Sequence, residues 1–189
     1  MLRTVRSQEA AHGQEAENMS HSNALRDIYD AIEQRVFAIV SAQPVWPCEK
    51  GCDDCCRQLA QPPQVSAAEW TVLQQGLAQL EATVQADVAR RLQALADRAS
   101  GPVVCPFLDE QAGACRVYHH RPAVCRMYGF YVSRDGNQWC DAIQASYDMG
   151  MGQGVVLGNA QAVQHELSER FGESRSVADW FEQTLSPSA

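Results

Sequence analysis

No apolar run in this 189-residue chain reaches the length of about twenty residues that a membrane-spanning helix needs. The amino-terminal stretch MLRTVRSQEAAHGQEAENMSHS also lacks the continuous apolar segment of a secretory signal, so the expected location is the cytoplasm. A basic field is missing as well. A net charge of -8 and a pI near 5.0 argue against a general binder of nucleic acid or of anionic membrane. There is no internal repeat and no alternating series of strands and helices, which sets aside solenoids and the barrel built from repeated strand–helix units.

What remains is a chain that is 46% hydrophobic, enough for one domain with a real core and no need of staples merely to fold. Residues 1–21 are polar and aperiodic and read as a flexible lead. Residues 22–189 read as one compact domain, mainly α with a small cysteine-rich loop and β-hairpin region. Within it, 48–143 is the cysteine-cluster region and 159–186 holds carboxy-terminal helices.

The periodicities supply the elements. Leu25, Ile28, Ile32, Val36 and Ile39 recur at helical spacing after Ser22 or Asn23, either of which can cap, and the helix should stop before Pro44. The prolines and glycine of PVWPCEKGC make a loop. Ser66-Ala67-Ala68-Glu69 is a capping-box pattern followed by Trp70, Leu73, Leu77 and Leu80. Val84, Val88, Leu92, Leu95 and Ala99 form a second run that ends at Gly101-Pro102. With a break near Gln79 to Ala82, the two runs form a helical hairpin that returns the chain, so Cys105 can lie beside Cys56. VVCPFLD and ACRVY flank a short turn, and FYVSRDGNQW carries an Asp135-Gly136 turn. Val163, Leu167 and Phe171 before Gly172 make one late helix, and Val177, Phe181 and Leu185 after Ser176 another.

The chemistry lies in the cysteines. CEKGCDDCC places Cys48, Cys52, Cys55 and Cys56 within nine residues, and Cys105, Cys115, Cys125 and Cys140 bring the total to eight. In a reducing compartment such a cluster reads as a metal or redox site before a disulfide framework, although eight would also suit four disulfides. Cys48, Cys52 and Cys55 at i, i+4 and i+7 share one side of a helix, or converge from a tight loop. The side chain of Cys56 diverges from that of Cys55, so the segment feeds two ions or two sides of one polynuclear cluster. Eight thiolates suffice for two sites of four. The bland alternative makes the last four ordinary buried thiols.

Between Cys115 and Arg134 there is no Asp or Glu. Arg116, Arg121 and Arg126 are therefore candidates to compensate thiolate charge. With Tyr118, Tyr128, Phe130 and Tyr131 interleaved, the same stretch would also suit stacking on single-stranded RNA, a minor alternative. His119 and His120 beside Arg121 read as solvated residues rather than ligands. GMGQGVVLG has neither a preceding strand nor a following Lys-Ser/Thr, so it reads as a flexible connector and not a phosphate loop.

CEKGCDDCC, CPFL, CRVYHHRPAVCRMY and WCDA together resemble the cysteine-cluster family with the signature CxxCxxCC, described as zinc- or iron-chelating and related to a domain of flagellin lysine N-methylases. The first gap here is three residues where the signature has two. The resemblance implies metal binding by these cysteines and no settled reaction; no residue is assigned a catalytic role.

The expected function is thus to hold zinc or iron, including as an iron–sulfur cluster, through the eight cysteines. The later cysteines are single and separated by steps of 10, 10 and 15, unlike the paired cysteines of zinc ribbons, which favours iron. A methylase-like or redox enzyme is the first rival. Cys-x3-Cys-x2-Cys is also the spacing of radical S-adenosylmethionine enzymes, but the strand–helix repeats of their barrel are missing. An RNA- or protein-interaction module on a structural metal is the second. The partner expected is the metal, with no membrane, no nucleic acid and no protein partner identified.

Overall fold

The computed structural model describes residues 2–43, 45–96, 101–134, 136–137, 139–151 and 154–185. The architecture is mainly α, with short two- and three-stranded pairings between the helices.

The first helix, α1, runs Leu2–Ala42 and buries the expected stripe: Leu25, Ile28, Ile32 and Ile39 are buried and Val36 packs beside them. Its start differs from the sequence reading. The backbone is helical from Leu2, so neither Ser22 nor Asn23 caps it. Ala, Glu, Gln and Arg dominate residues 2–21, and these straight-chain helix formers carry a helix without any apolar period to announce it.

After a loop, the single turn α2 (Asp54–Arg57) carries Cys55 and Cys56. Helix α3 (Ala67–Ala78) opens with the capping box, Ser66 and Glu69 each accepting from the other's backbone N–H. Helix α4 (Ala82–Ala96) follows after a three-residue break, Gln79 to Glu81, and Ala99 lies outside the described residues. The two helices do return the chain: Leu59 and Val103 form an antiparallel bridge, and the Cys105 N–H donates to the Cys56 carbonyl at 2.7 Å. The hairpin is completed from outside, because α4 packs chiefly on the last helix, α8 (Val177–Leu185), which also touches α3. A carboxy-terminal segment thus supplies the apolar surface that two short amphipathic helices need.

Strands β1 (Gln64–Val65) and β7 (Arg175–Ser176) pair antiparallel and bring α8 to the start of α3, where the Trp180 indole donates to the Val65 carbonyl at 2.9 Å. Strands β2 (Leu108–Asp109) and β3 (Ala114–Cys115) form the expected hairpin, with Leu108 opposite Cys115. A 3-10 turn at Tyr118–His120 and helix α5 (Ala123–Met127) follow. Strands β4 (Tyr131–Ser133) and β5 (Gly136–Asn137) pair with Ser133 opposite Gly136, so Gly136 lies in a strand rather than in the predicted turn, whose Asp135 lies outside the described residues. Helix α6 (Asp141–Asp148) and strand β6 (Gly158–Asn159), parallel to β4, were not legible beforehand. The glycine-rich connector ends in β6 because Gly158 lies against the Tyr131 ring, where an added Cβ would fall 2.1 Å from a ring carbon. Helix α7 (Ala160–Phe171) stops at Gly172, which has φ +78°.

Two apolar cores result. The first joins α1, Trp46, α5, Phe130, Tyr131, Ile143 of α6 and Leu167 of α7. The second joins Val65, Trp70 and Leu73 of α3, Val88 and Leu92 of α4, Phe107, Leu108, Val117 and Val177 of α8. Among the described residues no helix is long and apolar enough to cross a membrane.

Candidate metal centre

All eight cysteines line one cavity of about 380 Å³, together with Lys50, Asp53, Tyr118, Arg121 and Tyr128. All are free thiols; Cys52 is exposed, Cys105 buried and the other six half-buried. Segments distant in sequence therefore converge where the cysteine spacing required them to.

Each sulfur is positioned by local structure. Cys48 and Cys52 sit in the loop before α2, where a bond from the Cys52 N–H to the Glu49 carbonyl closes a turn and Gly51 takes φ +105°. The Cys48 thiol donates to the Tyr128 carbonyl at 3.7 Å. Next to it Gly129, at φ +83°, lies so close that an added Cβ would be 2.7 Å from Ile143 Cδ1 and 3.2 Å from Cys48 Sγ. The Gly129 carbonyl also accepts from the buried Trp46 indole at 3.1 Å. Cys55 and Cys56 lie side by side on α2 with their sulfurs 3.9 Å apart. The Cys56 carbonyl accepts from the Cys105 N–H at 2.7 Å, which sets the two thiols side by side. Cys115 is held on β3 and Cys140 at the start of α6.

Cys125 rides on α5, whose first turn is fixed by a buried carboxylate. Glu69 Oε1 accepts from the Ala123 N–H at 2.9 Å, while its Oε2 accepts from Ser66. One residue thus caps α3 and anchors the helix that bears a candidate ligand. The capping box announced Glu69 in the sequence; nothing announced its second task.

Cys48, Cys52, Cys55, Cys56, Cys115 and Cys125 are held protonated when no cation is near. Burial pushes Cys48 up to about 12, assisted by the neighbouring Cys52, Cys55 and Cys140. Its bond to Cys105 is the main cause that raises Cys56, also to about 12. Cys55 is raised chiefly by its bond to Cys56, and Cys52, Cys115 and Cys125 chiefly by burial. Arg121 pulls the other way on Cys48, Cys55, Cys115 and Cys125.

Of the three candidate arginines, Arg121 alone among the lining residues brings a guanidinium to the cavity. It lies over the Tyr118 ring at 3.7 Å and donates to the Tyr118 carbonyl at 3.0 Å, so the Tyr-x-x-Arg-Pro element is a turn that aims Arg121 at the sulfurs. Arg116 and Arg126 are engaged elsewhere. Arg116 pairs with Asp87 of α4 at 2.8 Å. Arg126 binds Glu33 of α1 at 2.7 Å, the His119 and Arg121 carbonyls at 2.8 and 2.7 Å, and the face of Tyr29. Both straighten the loops that carry Cys115 and Cys125. Neither histidine lines the cavity: His120 packs on Gly76 of α3, and His119 stands edge-on to Tyr118. Phe130 and Tyr131 are buried in the first core, which takes two of the four interleaved rings off the surface. Sequence reasoning missed Gly129, whose only signal is a lone glycine among aromatics in MYGFY.

The family model CxxCxxCC, described as "Putative zinc- or iron-chelating domain", matches residues 47–144, just over half of the chain. No curated protein and no solved structure matches it.

Proposed function

Because the chain belongs to the CxxCxxCC family and its cysteines belong to a metal-chelating domain, we propose that the eight thiols hold iron, in iron–sulfur form, in the cavity they line. One observation carries this reading: eight thiols surround a single space of about 380 Å³. As placed, no three metal-binding side chains among the described residues stand close enough to hold a single ion. A donor set spread around a space of this size suits a polynuclear centre, whose own atoms fill the gap between ligands.

The donor set fits such a group chemically. It is all sulfur, which soft thiophilic metals prefer, and Arg121 offsets part of the negative charge that ligation by thiolates brings. Tyr118 and Tyr128 wall the space, and limited solvent access is one of the means by which a protein sets a cluster's potential. The free thiols suit a reducing compartment, the cytoplasm.

The test is purification without oxygen, followed by metal analysis, acid-labile sulfide and a visible spectrum. Iron with matching sulfide and a brown chromophore is the expected result. Stoichiometric zinc with little iron and no sulfide would overturn iron and leave the same cysteines as ligands of a colourless structural site.

A further inference from the structure

We propose that the eight cysteines form two four-thiolate sites, one seated on each apolar core, with Cys48, Cys52, Cys55 and Cys140 in the first and Cys56, Cys105, Cys115 and Cys125 in the second. This rests on the metal-binding reading above and concerns how the ligands divide.

The packing separates them. Cys48 and Cys140 lie against the first core, whereas Cys105 belongs to the second and Cys56 and Cys115 pack against that one. These five are therefore held by different sets of apolar contacts, while Cys125 rides on α5, which reaches from the first core toward the second group. Local bonds keep the second group together: the Cys105 N–H donates to the Cys56 carbonyl at 2.7 Å, and the Arg116 N–H donates to the Phe107 carbonyl at 2.9 Å, holding the strand of Cys115 beside the segment that follows Cys105. Cys125 lies within electrostatic reach of Cys56 and Cys115 and, less strongly, of Cys55, the residue that borders both groups. On the other side Cys48 faces Cys52, Cys55 and Cys140, and Cys52 faces Cys55 and Cys140. Tyr128 stands beside Cys48, Cys55 and Cys140.

The adjacent pair is the junction. Successive residues on a helical turn point about 100° apart, so α2 can offer Cys55 to one group and Cys56 to the other. Their sulfurs, 3.9 Å apart, place the two sites in contact. The doubled cysteine of CEKGCDDCC thereby acquires a purpose, to feed two centres from one turn.

Two variants test the division: Cys140→Ser in the first group and Cys115→Ser in the second, each purified without oxygen from the full chain. Each is expected to retain about half of the wild-type metal, and the double variant almost none. Hydrogen exchange should localise the losses, at 46–52 and 139–148 for Cys140→Ser and at 103–118 for Cys115→Ser. A folded single variant that has lost all its metal would overturn the division in favour of one shared centre, and one that has lost none would remove that cysteine from its site. If a variant does not fold, the chelated wild-type chain is reloaded with zinc and followed by native mass spectrometry. Filling in two successive steps supports two sites, and saturation at a single ion overturns them. A wild-type chain that holds no metal by either route overturns the metal-binding reading itself, whereas a loaded wild type with indivisible loss overturns only the division.

Discussion

The two cores place sulfur by different means. On the first, the position of Cys48 is set by close approach: Gly129 leaves no room for another atom beside Ile143 and the sulfur, and the Trp46 indole clamps the same peptide. On the second, the hairpin that carries Cys115 is strapped by charge, with Asp87 accepting from Arg116 and Arg91 and Arg91 also reaching Glu110. Packing is intolerant of added volume, while ion pairs that keep contact with solvent contribute modestly each and tolerate loss better. The first half of the centre should therefore break sharply and the second bend.

Removing the metal altogether erases the comparison and has the largest effect. The candidate ligands come from both cores, so on the proposed reading binding free energy becomes folding free energy, on the order of 10 kcal/mol for a structural site. Chelation is expected to raise hydrogen exchange across 48–60 and 103–134, with a large fall in thermal midpoint. Exchange that is unchanged after verified metal removal would count decisively against a structural metal.

The metal-free protein should then be sensitive to alkali. Cys48 and Cys56 are raised from an ordinary value of 9.0 to about 12 in the folded state. Below pH 9 both folded and unfolded thiols are protonated and their full contribution is present. Between pH 9 and 12 the unfolded chain ionises first, so stability falls as pH rises. A metal-free sample whose urea midpoint holds from pH 8 to 10.5 would contradict this. The loaded protein should show the opposite trend on the acid side, because thiolate ligation releases protons that acid restores.

Much of this was legible beforehand. The α1 stripe, the capping box at Ser66, the turn between Leu108 and Ala114 and the return of Cys105 to Cys56 all follow from periodicity and spacing, which local sequence encodes. The burial partners were not. That α8 covers α3 and α4, that Gly158 slides beneath Tyr131, and that Arg116 and Arg126 turn from the sulfurs toward Asp87 and Glu33 are consequences of long-range packing. A charge placed between ligands in sequence has no direction until the helices opposite are known. Helical residues before Ser22 were missed for the opposite reason: their propensity is good, but they carry no apolar period.

Gly129→Ala sharpens the steric half. The left-handed backbone alone costs about 1–2 kcal/mol for a residue with a Cβ, and crowding against Ile143 and Cys48 adds to it. Metal content should fall with stability, with exchange rising first around Cys48 and α6. Unaltered metal content in a well-folded Gly129→Ala chain would show that Cys48 is not held by this contact.

Charge at the cavity ranks next. Arg121→Glu replaces the guanidinium at the sulfurs with a like charge and should lower metal occupancy clearly. Arg134→Glu, at an exposed position beyond the ligand loop, should leave it near the wild-type level. Equal occupancy in the two would remove Arg121 from its assigned role.

The smallest effect is expected at the electrostatic strap itself. Asp87 is half-buried on α4 and is held down to about 2, first by its bond to Arg116 and then by Arg90. A depressed carboxyl contributes above its ordinary value of 3.8, and that contribution is lost as pH falls toward 2, by which point acid has already stripped thiolate ligands. At neutral pH the strap is fully formed, yet solvent screens it, and Cys115 remains fixed by the pairing of β3 with β2. Asp87→Ala should therefore lower the urea midpoint only slightly and leave metal content unchanged, in contrast to both Gly129→Ala and Arg121→Glu. Loss of metal from Asp87→Ala, measured beside the wild type at equal salt, would mean that Arg116 needs its carboxylate in order to stay clear of the sulfurs, and the second half of the centre would then be as brittle as the first.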